Sequence, residues 1–146
     1  MQKAVIIYST TDGQTKRICE FLMQKLKTKM QIDFFSVDEI GQTELKFYDK
    51  IIVGASIRYG KHSPKLFKFI EENIDVLKAK FTAFFTVNVV ARKEGKNTPD
   101  TNPYMKKFLQ LSIWQPNLLG VFAGKIDYPS YKFTDKLMIR LIMYIT

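Results

Sequence analysis

AVIIYSTTDGQT, residues 4–15, is the stretch of sequence that decides the fold of this 146-residue chain. Its first part, residues 4–8, is apolar and rich in β-branched side chains, which predicts a strand buried on both faces of a sheet. Its second part, residues 9–15, is polar. Apolar side chains then recur at helical spacing, which predicts an amphipathic helix over residues 16 to about 29. We therefore expect the polar part to form a turn between a buried strand and the N-terminus of a helix.

This turn has the chemistry of a phosphate-binding loop. A helix N-terminus presents unpaired N–H groups and a partial positive charge, and the hydroxyls of Ser9, Thr10, Thr11 and Thr15 can add hydrogen bonds. Gly13 allows the backbone to turn close to a ligand. The stretch has neither the Gly-Lys-Ser/Thr of a triphosphate loop nor a GxGxxG motif. A lysine-free, hydroxyl-rich loop favours a monophosphate such as that of FMN, and a polar turn with a Ser or Thr helix cap is the alternative.

The rest of the chain alternates between apolar strand patterns and amphipathic helices. Further strands are predicted over residues 32–37, 50–57, 81–90 and 118–123. Ser63-Pro64 and Asn102-Pro103 each resemble an N-cap followed by proline, and they predict helices that continue to about residues 77 and 112. Buried strands alternating with helices predict an α/β fold with a doubly wound, five-stranded parallel sheet of order 2-1-3-4-5.

Two more loops are expected beside the phosphate loop, because ligands of such sheets bind beyond the carboxyl ends of the strands. These loops are residues 55–60 and 87–92. Tyr59 could form an aromatic wall for a flavin ring, and Asn88 could contact the ring edge or the ribityl chain. The alternatives are a surface tyrosine and an asparagine that caps its own loop.

Basic residues follow the same two loops. Arg58, Lys61, Arg92 and Lys93 could converge at one rim, which would suit a substrate that bears carboxylates, because arginine forms bidentate pairs with them. A solvated basic surface is the alternative. His62, the only histidine, is either a solvent-exposed loop residue or a contributor to this site. Arg58, His62 and Arg92 are thus the candidates for positioning a substrate, and we predict no metal site.

The charge of the whole chain is strongly basic. The formal net charge is +9 and the isoelectric point is near 9.6, which indicates an anionic partner such as nucleic acid, anionic lipid or an acidic substrate, or else a basic soluble surface. The single cysteine, Cys19, excludes an intrachain disulfide and is typical of a reducing compartment. No secretory signal pattern opens the chain. We therefore expect a protein on the cytosolic side.

The end of the chain carries a second amphipathic pattern. Residues 131–146 predict a helix with Lys132, Lys136 and Arg140 in one basic stripe and apolar side chains over most of the remaining surface. The segment is too short to span a bilayer. It could lie in the membrane interface with its basic stripe toward anionic headgroups, or pack on the sheet or on a partner subunit. We expect the chain to be truncated before its last helix, with residues 133–146 replacing that helix as the alternative.

Three runs of the sequence carry a family resemblance. They are YSTTDGQT at residues 8–15 and the more specific IVGASIRYG at residues 52–60 and VNVVARK at residues 87–93. Together they resemble the motifs of the bacterial menaquinone-dependent protoporphyrinogen IX dehydrogenases, which are flavodoxin-like. The resemblance extends over nearly the whole chain through TPxTN at 98–102, YxxKFL at 104–109, YP at 128–129 and DxxMIxLIM at 135–143, where x marks a position outside the motif. It implies one flavodoxin-like domain over residues 1–146, with residues 128–146 as an insertion-like terminal segment.

The resemblance also implies a function and a set of binding residues. The family oxidises protoporphyrinogen IX to protoporphyrin IX in haem biosynthesis and passes the electrons to menaquinone or ubiquinone. By motif match, the FMN phosphate would be held by Ser9, Thr10, Thr11, Asp12, Gly13 and Thr15. The flavin ring would be framed by Ser56, Ile57, Arg58, Tyr59, Gly60, Asn88, Val89, Val90 and Ala91.

These implications define the expected partners and the alternatives. We expect protoporphyrinogen IX and a quinone as partners, peripheral contact with the cytoplasmic side of an anionic inner membrane, and no nucleic acid; a homo-oligomer is left open. The alternatives are a flavodoxin-type electron carrier and an NAD(P)H-quinone reductase. The charge of +9 opposes a carrier of the usual acidic kind, because like-charged partners associate slowly, and no second nucleotide motif supports the reductase.

Overall fold

The structure is a computed structural model that describes residues 2–9, 14–27, 29–40, 45–58 and 60–122. Its strands are β1 (Lys3–Ser9), β2 (Gln31–Ser36), β3 (Lys50–Arg58), β4 (Lys61–His62), β5 (Phe81–Val87) and β6 (Leu118–Phe122). Its α-helices are α1 (Gln14–Leu26), α2 (Pro64–Glu72), α3 (Ile74–Ala79) and α4 (Pro103–Leu111), and a 3₁₀ helix covers Val89–Arg92. The expected terminal helix and the 128–146 segment lie outside the described residues.

The main sheet has the order β2-β1-β3-β5-β6, and each of its strand pairs is parallel. β1 lies between β2 and β3, so that Ile6 is level with Phe34 on one side and with Ile52 on the other. With β4 set apart, this is the predicted order 2-1-3-4-5, and the predicted fold class is confirmed.

Three local predictions are wrong, each for a physical reason. Residues 61–62, expected in a loop, form the two-residue strand β4, which pairs antiparallel with the end of β3 and is too short to produce a periodic pattern. The strand expected over 81–90 ends at Val87, because the Asn88 side chain caps the 3₁₀ helix instead. The helix expected over 64–77 is divided at Asn73, whose backbone leaves the helical region at φ −120° and ψ 18°.

Alternating side chains of β1 enter the two cores of the molecule. Val5 and Ile7 belong to the cluster covered by α2, α3 and α4, whereas Ala4 and Ile6 belong to the cluster covered by α1. All four side chains are fully buried. The strand therefore has no solvent face, which explains its uninterrupted apolar sequence.

An aromatic group fills the centre of the α2–α4 side. The rings of Phe84 and Phe108 are stacked with centroids 3.8 Å apart, and Trp114 meets both of them edge-on. The indole N–H of Trp114 donates a hydrogen bond to Thr82 Oγ1 at 3.1 Å. This bond satisfies the one polar group of a side chain that is otherwise buried among apolar neighbours.

His62 is part of this core. Its side chain is 6% exposed, its Nε2 lies 2.8 Å from Thr86 Oγ1, and its ring meets Phe84 and Phe108 edge-on. Burial, and secondarily the positive charge of Lys107, lower the pKa of His62 to about 4. The imidazole is therefore neutral at physiological pH, and the solvent-exposed alternative for this residue is wrong.

The first prediction concerns the packing of Gly54 against Phe85. A Cβ at this position would lie 2.1 Å from Cζ of Phe85, its neighbour across the sheet, and Phe85 is fully buried. We expect Gly54→Ala to lower the free energy of unfolding by about 1–3 kcal/mol, because a fully buried ring must shift to make room for the added methyl group. Urea denaturation measures the change.

The control for this prediction is the same substitution in a chain in which Phe85 is replaced by the smaller leucine. In a Phe85→Leu background the added methyl has more room, so Gly54→Ala is expected to cost clearly less than in the native chain. An equal cost in both backgrounds would show that the ring is not the reason for glycine at this position.

The second prediction concerns the effect of His62 on the pH dependence of stability. Its pKa is about 4 in the folded chain and about 6.5 in an unfolded chain, so the unfolded state binds the proton more readily between these values. The stability that depends on the neutral histidine is therefore fully present above about pH 6.5 and is lost as the pH falls through 4, by about 3 kcal/mol in total.

The measurement compares the native chain with His62→Gln, which keeps a hydrogen-bonding side chain but does not titrate in this range. The free energy of unfolding of each is measured near pH 7.5 and near pH 4.5. We expect the native chain to lose about 2 kcal/mol more than the variant over this interval. Equal losses would contradict a neutral, buried histidine.

Candidate functional site

The carboxyl ends of β1, β3 and β5 lie side by side at one edge of the sheet. Ser9 is level with Ala55, and Ala55 is level with Thr86. Polar side chains are buried at this edge, among them Ser9 at 6% and Ser56 at 8% exposure. The three loops that the sequence assigned to one site therefore start from adjacent positions.

The phosphate-loop residues are only partly described. Ser9 ends β1 and Gln14 begins α1, a 13-residue helix whose N-terminus follows directly on the loop. Thr10, Thr11, Asp12, Gly13 and the side chain of Thr15 lie outside the described part of the structure. The arrangement of strand, short connection and helix N-terminus is the one that binds a phosphate through backbone N–H groups.

The loop after β3 is a hairpin rather than an open loop. Ile57 pairs with His62 and Arg58 pairs with Lys61, so that β4 returns along β3. Gly60 has φ +75°, a left-handed conformation that favours glycine in such turns. Tyr59 and the side chain of Arg58 lie outside the described residues, so the predicted ring wall at Tyr59 and the predicted meeting of Arg58 with Arg92 stay predictions.

The loop after β5 is held by the side chain of Asn88, which is 4% exposed. Asn88 Oδ1 accepts a hydrogen bond from the backbone N–H of Ala91 at 3.1 Å, and Asn88 Nδ2 donates to Asn102 Oδ1 at 3.2 Å. The structure thus shows the loop-capping role that the sequence left as an alternative for Asn88. A contact with the flavin ring stays a prediction.

The 3₁₀ helix places the other predicted loop residues at this edge of the sheet, and these residues differ in solvent exposure. Ala91 is buried and Val90 is half-buried, while Arg92 and Lys93 are exposed at its end. The side chain of Val89 lies outside the described residues. The exposed end of the turn is therefore basic and accessible.

Asn102 completes the support of this loop, and the sequence identified it only as a helix cap. Its Nδ2 donates to Asn88 Oδ1 at 3.0 Å and to the carbonyl oxygen of Lys96 at 2.9 Å. Its Oδ1 accepts from the backbone N–H groups of Tyr104 and Met105 at the start of α4. Asn88 and Asn102 are 14 residues apart, so no local pattern could have indicated that they pair.

The side chain of His62 is buried, whereas those of the predicted basic residues Lys61, Arg92 and Lys93 are exposed. It is buried beneath the β3–β4 hairpin on the α2–α4 side of the sheet, where Thr86 joins it to Asn88: Asn88 Nδ2 donates to Thr86 Oγ1 at 3.4 Å. Thr86 was not predicted as a site residue. It connects the histidine to the loop at the carboxyl edge.

None of the helices in the described part of the chain is long and apolar enough to cross a membrane. The basic stripe at Lys132, Lys136 and Arg140 lies outside the described residues. The predicted interfacial helix is therefore untested.

Comparison with known proteins places the chain among flavodoxin domains. A family model described as a flavodoxin domain matches residues 5–146. Among solved structures, an archaeal flavodoxin superposes with a TM-score of 0.66 at 19% sequence identity, and the match covers 99% of both chains. Identity this low shows the fold alone.

Curated relatives are much more similar in sequence. The chain is 42% identical to the protoporphyrinogen IX dehydrogenase (quinone) of Leishmania major over 99% of its length, and 42% identical to the protein of the same name from Escherichia coli K12 over 97%. It spans 63% of the length of the first relative and 78% of the second. The chain belongs to the flavodoxin domain family, and within it to the proteins named protoporphyrinogen IX dehydrogenase (quinone).

Proposed function

We propose that this protein uses FMN to oxidise protoporphyrinogen IX to protoporphyrin IX and transfers the electrons to a quinone, with menaquinone or another respiratory quinone as the acceptor in haem biosynthesis. The observation that carries the proposal is the 42% identity, over 97% of the chain, to the Escherichia coli relative of that name. The archaeal flavodoxin of the same fold shares 19%. The similarity to the named relatives therefore goes well beyond what the fold requires.

FMN is the cofactor implied by a flavodoxin domain, and the described groups at the carboxyl edge fit its phosphate. Ser9 supplies a buried hydroxyl at the end of β1, and the N-terminus of α1 supplies backbone N–H groups and a partial positive charge. No lysine occurs among residues 9–15, so neutral donors and the helix carry the binding. When bound, FMN supplies the redox chemistry, and the chain supplies orientation and electrostatics.

The exposed end of the loop after β5 is suited to hold the substrate. Protoporphyrinogen IX carries two propionate groups, and a guanidinium can bind a carboxylate through two parallel hydrogen bonds. Arg92 and Lys93 lie exposed at the end of a turn that the Asn88 and Asn102 side chains hold in place. We assign Arg92 to a substrate propionate, with Arg58 as the second candidate from the β3–β4 hairpin.

Membrane contact is the remaining part of the proposal. A respiratory quinone is lipid-soluble, so an enzyme that reduces it gains from residence at the membrane. The net charge of +9 favours contact with anionic lipid headgroups. We propose that residues 131–146 make this contact as an interfacial helix, which gives a peripheral protein on the cytoplasmic side of the inner membrane.

The third prediction is the activity itself. The 146-residue chain loaded with FMN is incubated anaerobically with protoporphyrinogen IX and a soluble menaquinone analogue, and porphyrin fluorescence is followed. We expect porphyrin to form with saturation kinetics and only when the quinone is present. A rate no higher than that of free FMN would contradict the proposal, while reduction of the quinone by NADH or NADPH would favour the reductase alternative.

The same assay tests the substrate contact. Arg92→Gln is expected to raise the KM for protoporphyrinogen about 5- to 30-fold, which corresponds to the loss of about 1–2 kcal/mol from one charge-assisted contact. Lys78→Gln removes an exposed charge on α3 and serves as the matched control. If the two variants change KM equally, Arg92 acts only through the overall charge.

The fourth prediction concerns the membrane. The chain is expected to sediment with vesicles that contain anionic phospholipid, and to remain in solution with purely zwitterionic vesicles or in high salt, where electrostatic attraction is screened. Reversal of charge at Lys132, Lys136 and Arg140 is expected to reduce the bound fraction at least about 5-fold, since each basic residue near the surface contributes about 1 kcal/mol.

A second triple reversal serves as the control for this experiment. Lys46, Lys78 and Lys96 are exposed in the described part of the chain, and their reversal changes the net charge by the same amount. If this variant loses vesicle binding as strongly as the terminal one, binding depends on total charge, and the terminal segment is not the anchor.

A further inference from the structure

A groove lies between α2 and α4, on the outer side of the core that contains His62. Its volume is about 480 Å³, which is within the range of small-molecule sites. Phe67 of α2 and Leu111 of α4 supply apolar side chains to its walls, and His62 lines it from the core. Leu111 is 59% exposed. The groove therefore offers an apolar surface that is open to solvent.

The charges around this groove are mostly positive. Lys61, Lys68 and Lys107 line it, against the single carboxylate of Glu71. Lys68 also lies 3.9 Å from Glu72 on its own helix. Within the described part of the chain, neither Lys61 nor Lys107 has a carboxylate within ion-pair distance. The groove thus combines apolar walls with ammonium groups available for an anion.

His62 adds a directional group to the groove. Its side chain is more than nine-tenths buried, and its Nε2 contacts Thr86 Oγ1. No hydrogen bond from the described residues reaches its Nδ1. Thr86 Oγ1 accepts from Asn88 Nδ2, and the Thr86 hydroxyl can donate to Nε2. In the tautomer that we assign on this basis, the proton of the neutral ring resides on Nδ1, which can then donate to an anion.

Lys107 and His62 are close enough to influence one another, because the positive charge of Lys107 contributes to lowering the pKa of His62. An anion placed between them would contact a charge and a neutral N–H donor together. A carboxylate is suited to both interactions, because it carries a charge and accepts several hydrogen bonds at once.

We propose that the groove between α2 and α4 binds a free amphiphilic carboxylate, with its apolar body against Phe67 and Leu111 and its carboxylate between Lys61, Lys107 and His62. None of the residues that line the groove is among the proposed FMN contacts, and the inference does not depend on the proposed function. A ligand there would be joined to the loop after β5 by the hydrogen bonds from His62 through Thr86 to Asn88.

The test uses decanoate as the probe and the imidazole of His62 as the reporter. Because His62 is the only histidine, its ¹⁵N signals are unambiguous in a histidine-labelled chain. Decanoate is titrated into the 146-residue chain at concentrations at which the decanoate itself remains monomeric, and calorimetry measures its affinity. We expect saturable binding of one decanoate and a shift of the Nδ1 signal, with 1-decanol binding at least 10-fold more weakly.

Neighbouring residues on α4 provide matched variants. Lys107→Glu is expected to weaken decanoate binding at least 10-fold, whereas Lys106→Glu, which is exposed but does not line the groove, is expected to change it less than 2-fold. Leu111→Glu, at a residue that lines the groove, and Gln110→Glu, at a residue that does not, form a second pair with the same expected contrast. All four substituted side chains are exposed, so the variants are expected to fold.

Three results would overturn the proposal. The first is equal binding of decanoate and decanol, which would show an apolar surface without selectivity for an anion. The second is an equal effect of the two lysine variants, which would show attraction by overall charge. The third is binding to anionic vesicles without saturable binding of decanoate, which would assign the basic groove to a membrane surface instead.

Discussion

The burial of β1 between two parallel neighbours is the constraint on which the rest of the structure depends. Ile6 and Ile7 are fully buried on opposite faces of the sheet, and each such side chain contributes about 1.5–3 kcal/mol by its removal from water. A strand without a solvent face requires helices on both sides, and parallel neighbours require crossover connections. These two requirements bring the N-terminus of α1 and the loops after β3 and β5 to the same edge of the sheet.

That edge carries buried polar side chains, and they must be paired if the fold is to tolerate them. The side-chain amides of Asn88 and Asn102 are paired because they exchange hydrogen bonds with each other. They also bind backbone N–H and carbonyl groups. An unsatisfied buried group costs about 1–3 kcal/mol. The loop after β5 and the start of α4 therefore hold one another, so that the position of Arg92 is fixed by side chains rather than by the sheet.

The strands and helices could be predicted because their patterns are local. The strand at residues 4–8, the Pro64 and Pro103 helix starts and the strand order all follow from apolar periodicity, capping residues and chain connectivity, and the structure confirms them. β4 could not be predicted, since two residues carry no period. The division of the long helix at Asn73 could not either, because the Asn73 side chain bonds back to the carbonyl oxygen of Phe69 at 2.8 Å, a choice between local hydrogen bonds that composition does not decide.

The environment of His62 shows why the candidate site was only partly predictable. A single histidine after a glycine in a polar stretch favours an exposed loop, yet antiparallel pairing with Ile57 directs the chain back over the core. The ring then fills space beside Phe84 and Phe108 and finds its hydrogen bond on Thr86, which is 24 residues away. Because this partner lies on a different strand, only the folded chain determines whether the imidazole is charged. A flavodoxin fold alone supports many functions, so the side chains at the carboxyl edge of the sheet are what distinguish this chain within its fold. The amide pair of Asn88 and Asn102 holds the basic loop after β5. The neutral His62 connects that loop to the groove between α2 and α4.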